Sequence, residues 1–263
     1  MKVAILTTAN QWFVPYAKAL NDDIKAHFTD KVSECALFFE HTQVKGFDIV
    51  FVLSYHSIIP ALYLRQNALT LVLHASNLPQ GKGWSPLFWQ VLEGKDEIIF
   101  TLFKADEKVD NGEIYLQKRL NLSGVELYDE LRAKQGAMSV QICAEFLRLY
   151  PHITARAQSG AESFYPKRNP KDSELDINKS LNEQFNLLRI CSNDEFPAFF
   201  IKNGKKFVLK IYDDETQIIT GGGGAIILLC LNIKQFIFTF LLTRYAFRYY
   251  FFYTKFSQRI YYE

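Results

Sequence analysis

The chain has 263 residues, of which 49% are hydrophobic and 22% charged, an ordinary composition for a globular protein. Its net charge of +2, without long runs of Lys or Arg, argues against a nucleic-acid-binding or membrane-surface protein. Four widely spaced cysteines form no CxxC pair, which predicts reduced thiols and no zinc site. The opening MKVAILTTANQ lacks the order of a signal peptide, so we expect a cytoplasmic protein.

The first half of the chain alternates short apolar runs with helical segments. We expect helices from Trp12 to Leu20, in PALYLRQ, and in SPLFWQVLEG, where Ser85 would be the N-cap and Gly94 the C-cap. Strands are predicted in KVAILTT, ECALFFEH, FDIVFVLS, LTLVLH, EIIFTLFKA and GEIYLQKRLNL. Continuous apolar strands that alternate with helices predict an α/β fold with a Rossmann-like, mostly parallel sheet covered on both faces.

The second half predicts a long helix followed by a smaller module. Residues 123–150 have apolar side chains near helical spacing, and Pro151 ends this segment. Residues 151–178 are polar and resemble a linker, whereas residues 179–215 predict a small C-terminal module. In that module Ser180 and Glu183 form a capping box at the start of a short helix. The pair Asn203-Gly204 is typical of a tight hairpin turn.

Residues 216–263 form an atypical aromatic tail. After the four glycines at positions 221–224, Phe and Tyr dominate, and the last residue, Glu263, is the only acidic one. A transmembrane helix and an amphipathic membrane anchor are both compatible with this segment, although Lys234 interrupts the most apolar window. We favour a third interpretation, in which a poly-guanine tract encodes the glycines and the codons after it are read out of frame.

Polar residues follow three of the predicted strands, where ligands bind in open parallel sheets. Tyr55 and His56 follow the third strand, His74 ends the fourth, and Asp110 lies in a VDNG turn 36 residues after His74. A histidine at a strand end is often only structural, and Asp-Asn-Gly is also a common turn sequence. No glycine-rich phosphate loop follows the first strand, which argues against a dehydrogenase or a kinase.

The arrangement as a whole resembles the formyltransferase family that uses 10-formyltetrahydrofolate. That family's signature is His-x-Ser-x-Leu-Pro, a glycine-containing loop, a helix begun by proline, and then a strand ending in Asp-x-Gly-x-Ile. The matching residues here are His74, Ser76, Leu78-Pro79, Gly81, Gly83, Pro86, Asp110, Gly112 and Ile114. SYHSIIP at 54–60 is similar to a family loop that contains a tyrosine, and the match covers about residues 1–210.

The resemblance implies that residues 1–150 are a formyltransferase catalytic domain and that 10-formyltetrahydrofolate is the cosubstrate. The segment HASNLPQGKGWSPLFWQVLEGK is most similar to the sequences of sugar N-formyltransferases. Those enzymes formylate the amine of a nucleotide-linked amino-deoxysugar for surface or flagellar glycans. Two alternatives stay open: an enzyme like methionyl-tRNA formyltransferase, and a non-catalytic relative that binds a sugar nucleotide or folate. We expect no nucleic-acid partner, no membrane unless the tail is a real anchor, and a homodimer as one assembly to consider.

The resemblance also implies roles for individual residues. His74 would be the general base and oxyanion partner, and Asp110 its electrostatic partner and proton relay. The family has an asparagine two residues before the histidine, whereas this chain has Val72, which leaves the oxyanion donor unassigned. We expect no metal. The folate would lie against Tyr55, His56, Ile59 and Val109, and the sugar nucleotide against Thr8, Asn10, Gln11, Ser76 and Lys82.

Overall fold

The computed structural model describes residues 1–214 and, beyond them, only the strand segments Ile218–Ile219 and Ile226–Ile227. Residues 1–211 form one compact unit, and the expected division at residues 150 and 178 stays a prediction. In the second unit the two strand segments pair antiparallel. The interpretations of the tail fall on residues that lie outside the described part of the chain. No helix in the described part is both long and apolar enough to cross a membrane.

A six-stranded sheet forms the centre of the first unit, and its strand order is β2-β1-β3-β4-β6-β7. β2, β1, β3 and β4 run parallel, whereas β6 and β7 continue the sheet antiparallel, so the predicted α/β fold with a mostly parallel sheet is confirmed. The strands of this sheet are β1 (Lys2–Leu6), β2 (Glu34–Phe38), β3 (Ile49–Val52), β4 (Leu69–His74), β6 (Glu97–Lys104) and β7 (Ile114–Asn121), and the short β5 (Lys82–Gly83) lies outside it.

The helices cover the sheet because strand residues alternate between its two faces. Val3 and Ile5 pack into a large core with α1 and α4, while Ala4 and Leu6 face a smaller core on the other side. The helices are α1 (Val14–His27), α2 (Ala61–Leu64), α3 (Pro86–Leu92), α4 (Tyr128–Leu149) and α5 (Phe185–Arg189). α1 extends beyond the predicted end at Leu20 because Ala17, Leu20 and Ile24 bury one continuous face.

Two predicted helix starts are corrected by the backbone geometry. Ser85 precedes α3 but has φ 49° and makes no capping hydrogen bond with its side chain, so the predicted N-cap role is wrong. The helix predicted from residue 123 begins only at Tyr128, because Glu126 binds the N–H groups of Ser123 and Gly124. Gly94 does end α3 in a left-handed conformation, with φ 81°, as expected for a glycine after a helix.

The segment predicted as a linker has structure of its own. Within it, β8 (Phe164–Tyr165) pairs in parallel with β5, and Arg156 forms a bridge with Ile114. The capping box that was predicted at Ser180 is present, since Glu183 Oε2 accepts from Ser180 N at 2.8 Å and Glu183 N donates to Ser180 Oγ at 3.3 Å. α5 itself begins later, at Phe185.

The predicted hairpin near the end of the described chain is also present. β9 (Ala198–Lys202) and β10 (Lys205–Leu209) pair antiparallel around Asn203 and Gly204. Both turn residues have positive φ, at 51° and 75°, which is the requirement of the tightest two-residue hairpin turn.

A buried ion pair joins the start of α4 to α5. Arg189 Nη2 lies 3.1 Å from Glu126 Oε2, and Lys134 Nζ lies 2.8 Å from Oε1 of the same carboxylate. Burial by itself raises the pKa of the Glu126 carboxyl, but hydrogen bonds from Lys134 and Ser123 outweigh it and lower the pKa to about 2. The carboxylate is therefore strongly favoured in the folded state.

Replacing Glu126 with glutamine is expected to lower the free energy of unfolding by about 3 kcal/mol, because Arg189 is left buried without a counter-charge. The folded pKa of about 2 lies below the ordinary 4.5, so the stabilisation is present above the ordinary value and lost as pH falls through the folded one. Urea unfolding between pH 7 and pH 2 measures both effects. The exposed pair of Glu97 and Arg119 provides the control, since Glu97→Gln should cost less than about 1 kcal/mol.

Candidate active site

A pocket of about 430 Å³ lies at the carboxyl ends of β3 and β4. This is the edge of an open parallel sheet where ligands usually bind. Its wall combines apolar side chains with a few convergent polar groups, which is typical of small-molecule sites. Contributions come from residues 52–59 after β3, residues 72–75 at the end of β4, residues 83–86, residues 105–110 and one face of α4.

His74 ends β4 on this wall and is only 8% exposed. Its Nε2 lies 2.8 Å from the carbonyl oxygen of Gly81. Because a carbonyl oxygen can only accept a hydrogen bond, Nε2 must carry a proton. Nδ1 is therefore the nitrogen that bears the lone pair when the ring is neutral, and it lies 4.0 Å from Asp110 Oδ1. The ring is thus fixed in the tautomer that leaves Nδ1 free to accept a proton.

Asp110 is placed by the turn between β6 and β7. It has φ 54°, a left-handed conformation that Asp and Asn tolerate better than most residues. Gly112 is required in the same turn, since a Cβ there would lie 1.8 Å from the carbonyl oxygen of Lys104. Gly83 N donates to Asp110 Oδ2 at 2.9 Å, and Gln158 Nε2 donates to the Asp110 carbonyl oxygen at 3.0 Å. One carboxylate oxygen is held by the backbone while the other faces His74.

Lys82 is buried next to this turn rather than solvated. It is 3% exposed, its Nζ lies 2.7 Å from Glu162 Oε1, and it donates to Asn111 Oδ1 at 3.1 Å. Lys82 lies outside the pocket wall. The contacts connect β5 to residues 162–165, and the next residue, Gly83, holds Asp110. A contact between Lys82 and a sugar nucleotide stays a prediction.

The other residues expected to bind the sugar nucleotide also lie outside the wall. Thr8 Oγ1 accepts from the backbone N–H of His56 at 3.0 Å, and Gln11 Nε2 donates to the carbonyl oxygen of Ser54 at 2.5 Å, so this turn holds the loop after β3. Asn10 has φ 53° in the same turn. Ser76 is buried, and its hydroxyl has no hydrogen-bond partner among residues 1–214.

The four residues expected to contact the folate all lie on the wall. They are Tyr55, His56, Ile59 and Val109. The Tyr55 hydroxyl lies 2.9 Å from His41 Nδ1, which fixes that ring on the loop. Burial lowers the pKa of His56, and the nearby positive charges of Arg132 and Lys167 lower it further. This part of the wall therefore favours a neutral imidazole.

Sequence reasoning missed the contribution of α4 to the pocket. Arg132, Gln135 and Ser139 line it. Their spacing of three and four residues places them on one helical face, which is a signal that the sequence does contain. This polar spacing was overlooked because the apolar residues of the same helix predict only that the helix packs against the core. Trp12 and Trp84, which the sequence did not single out as binding residues, also lie on the wall.

Val72 lies on the wall two residues before His74. It is paired with Phe103 of β6 and packs against the cluster formed by Leu78, Phe103 and Ile114. The side chain is a hydrocarbon, so it offers no hydrogen-bond donor at the position where the resemblance expects an amide. In the described part of the chain, no group of three or more His, Cys, Asp or Glu side chains could hold a metal ion.

Comparisons with known proteins agree with this geometry. The sequence pattern of the family described as formyl transferase matches residues 9–152. Methionyl-tRNA formyltransferase of Coprothermobacter proteolyticus is 30% identical over 159 residues, which are 59% of this chain and 52% of that protein. GDP-perosamine N-formyltransferase of Brucella melitensis is 26% identical over 197 residues, 74% of this chain and 76% of that protein.

The fold is shared with solved structures as well. The structure of a methionyl-tRNA formyltransferase from Clostridium thermocellum superposes with a TM-score of 0.67 at 18% identity, over 86% of this chain and 97% of that one. The chain spans about half the length of the first curated relatives that it matches.

Proposed function

Because the chain belongs to the formyl transferase family, we propose that it transfers a formyl group from 10-formyltetrahydrofolate to the amine of a nucleotide-linked amino-deoxysugar. The observation that carries this proposal is the pair of His74 and Asp110, which meet in the pocket with Nδ1 of the imidazole 4.0 Å from a carboxylate oxygen. Both residues are mostly buried, so a reaction beside them is shielded from water. The product would serve surface or flagellar glycans.

The pocket is suited to the cosubstrate. A folate has a flat ring system with polar edges, and the wall offers apolar surface from Ile59, Val109 and Phe103 beside backbone groups of the loops. The cosubstrate supplies the formyl group, and what this chain supplies is proton transfer and charge stabilisation. Structures in the same fold class include a sugar 3-N-formyltransferase solved in the presence of dTDP and 5-formyltetrahydrofolate.

The geometry supports a defined role for each of the two residues. As the amine nitrogen bonds to the formyl carbon, His74 accepts the amine proton at Nδ1, because Nε2 is already committed to Gly81. The ring is then a cation with an N–H directed at Asp110, so the 4.0 Å separation can close to a charge-assisted hydrogen bond. The proton finally returns to the departing folate nitrogen, which leaves the formylated amine and tetrahydrofolate.

A sugar acceptor is favoured over a tRNA by two observations. The relative that acts on GDP-perosamine aligns with 74% of this chain, against 59% for the first methionyl-tRNA formyltransferase. The net charge of +2 provides little of the positive field that a tRNA backbone needs.

The test is to incubate the protein with 10-formyltetrahydrofolate and a panel of nucleotide-linked 4-amino sugars and to measure the products by mass. We expect one acceptor to gain a formyl group. Methionyl-tRNA is tested as a separate acceptor. If it alone is formylated, the protein is a methionyl-tRNA formyltransferase and the proposal of a sugar acceptor is wrong. Binding of folate and sugar nucleotide without any product would identify a non-catalytic relative.

Replacing Val72 with asparagine is expected to raise kcat about tenfold, because the amide adds a donor for the oxyanion that develops on the formyl oxygen. Steady-state kinetics with the acceptor identified in the product assay measures this change in kcat. Val72→Ala is the matched control, since it opens the same space without a donor and should not raise kcat. If Val72→Asn is no faster than the unmodified protein, another group already fills the oxyanion role.

A further inference from the structure

Arg132 places a positive charge on the pocket wall. Among residues 1–214 it makes no ion pair, and the charge of Glu195, which raises its pKa, acts from beyond 4.0 Å. The Arg132 Nε and Nη2 donate to the Tyr128 hydroxyl at 3.2 and 3.1 Å, and its Nη1 donates to Gln135 Oε1 at 3.1 Å. Both acceptors are neutral. No carboxylate oxygen lies within 4.0 Å of the guanidinium in residues 1–214. Buried or half-buried charges are usually paired, so a cation left this way in a pocket points to an anionic ligand.

The guanidinium is also held in a fixed position. Its Cζ lies 4.4 Å from the ring centroids of both Trp12 and Phe88 and 5.1 Å from that of Tyr128. Such contacts stabilise a cation and restrict its rotation at the same time. A planar, immobilised guanidinium is suited to two-point binding of phosphate or carboxylate oxygens. Burial lowers the pKa of Arg132, which reflects the desolvation that an anion would offset.

A second cation acts on the same part of the pocket. Lys167 Nζ lies 5.1 Å from the ring centroid of Trp84, an indole that lines the pocket and is 41% exposed. The charges of Arg132 and Lys167 both lower the pKa of His56, so both act on the same loop. The region around Arg132, Lys167 and Trp84 therefore combines positive charge with an exposed aromatic surface.

We propose that Arg132 binds the diphosphate of the nucleotide-linked acceptor, with Lys167 as an auxiliary charge. The inference rests on the proposed function and goes beyond it by assigning the residue that recognises the acceptor. Arg132 contacts Trp12, directly after the turn of residues 8–11. Arg132 also acts on His56 of the loop after β3, whereas the other residues expected against the folate, on the loops after β3 and β6, include the apolar Ile59 and Val109. Two adjacent phosphates match the forked donors of a guanidinium better than the separated carboxylates of a folate tail.

The experiment measures binding of UDP, GDP and dTDP to the full chain by calorimetry, with 5-formyltetrahydrofolate as a second ligand. In Arg132→Gln, the affinity for the nucleoside diphosphate that binds best should fall about 30-fold, as for the loss of a charged hydrogen-bonded contact. Affinity for 5-formyltetrahydrofolate should stay within about twofold, which also shows that the pocket is intact. Arg119→Gln removes one exposed charge outside the pocket and should change neither affinity.

A second variant keeps the test independent of folding. Lys167 is exposed, so the Lys167→Gln variant should fold normally. Its affinity for the nucleoside diphosphate should fall about threefold. Weaker folate binding with unchanged nucleotide binding in Arg132→Gln would overturn the inference and assign Arg132 to the folate. Failure of the unmodified chain to bind any nucleoside diphosphate would also overturn it.

The outcomes separate this inference from the proposed function. Nucleotide binding that depends on Arg132, in a protein that forms no formylated sugar, supports the inference while the proposed activity fails. Formylation of a sugar nucleotide with an acceptor KM unchanged by Arg132→Gln supports the activity while the inference fails.

Discussion

Replacing His74 with asparagine is expected to reduce kcat about 10³-fold, because the variant has no group that can accept the amine proton. An asparagine amide nitrogen carries no available lone pair, whereas the Nδ1 of His74 is left free by the hydrogen bond from Nε2 to Gly81. The substitution is also similar in size, so the pocket should keep its shape. Single-turnover measurements with saturating cosubstrates isolate the chemical step from binding.

Two controls make the His74 result specific. His27 lies exposed at the end of α1 and pairs with Asp23, so His27→Asn removes an imidazole without touching the pocket and should keep full activity. His74→Ala leaves a space for a small base, and added imidazole should restore part of its lost rate. A His74→Asn variant that keeps more than about a tenth of the activity would show that another group accepts the proton.

The sheet was predictable because each of its strands is indicated by residues within the strand itself. The runs VAIL in β1 and IVFV in β3 are continuously apolar, which is typical of a strand buried on both faces. The hairpin at Asn203 and Gly204 is equally local, since the turn itself demands positive φ at both residues.

The surroundings of the site were less predictable because they depend on contacts distant in sequence. β5 and β8 are two residues each and pair across about eighty positions, so nothing local reveals that residues 156–165 support Asp110. The burial of Lys82 follows from the same pairing, since Glu162 comes from that segment. At Ser85 the sequence preference for a serine N-cap does not hold. Its backbone is left-handed, whereas an N-cap residue should be extended.

Arg132 illustrates a different limit. An arginine within an amphipathic helix is usually solvated, and only the three surrounding rings, from α3, α4 and the turn before α1, show that this one is enclosed. The resemblance could place His74 and Asp110 near each other because a motif spacing describes both, but it carries no residue of α4. The residue that we propose to bind the acceptor therefore had to come from the structure.

Replacing Asp110 with asparagine is expected to lower kcat about 10²-fold to 10³-fold with little change in the KM of either substrate. The backbone should tolerate the change, since asparagine also adopts the left-handed conformation that Asp110 has at φ 54°. One side-chain oxygen can still accept from Gly83 N, which now lies 2.9 Å from Asp110 Oδ2. The other atom becomes an NH₂ group facing His74 Nδ1, where it donates to the lone pair that the reaction needs.

The asparagine therefore impairs the reaction twice: it removes the negative charge that stabilises the imidazolium, and it blocks the base in the ground state. These effects are separable, because Asp110→Gly removes the charge without adding a donor, at a φ of 54° that glycine adopts freely, and should retain more activity than Asp110→Asn in matched single-turnover assays. Asp30→Asn, an exposed substitution on the surface, should leave kcat unchanged. Equal rates for Asp110→Gly and Asp110→Asn would mean that charge alone connects Asp110 to His74, whereas unimpaired turnover in both variants would remove Asp110 from the mechanism.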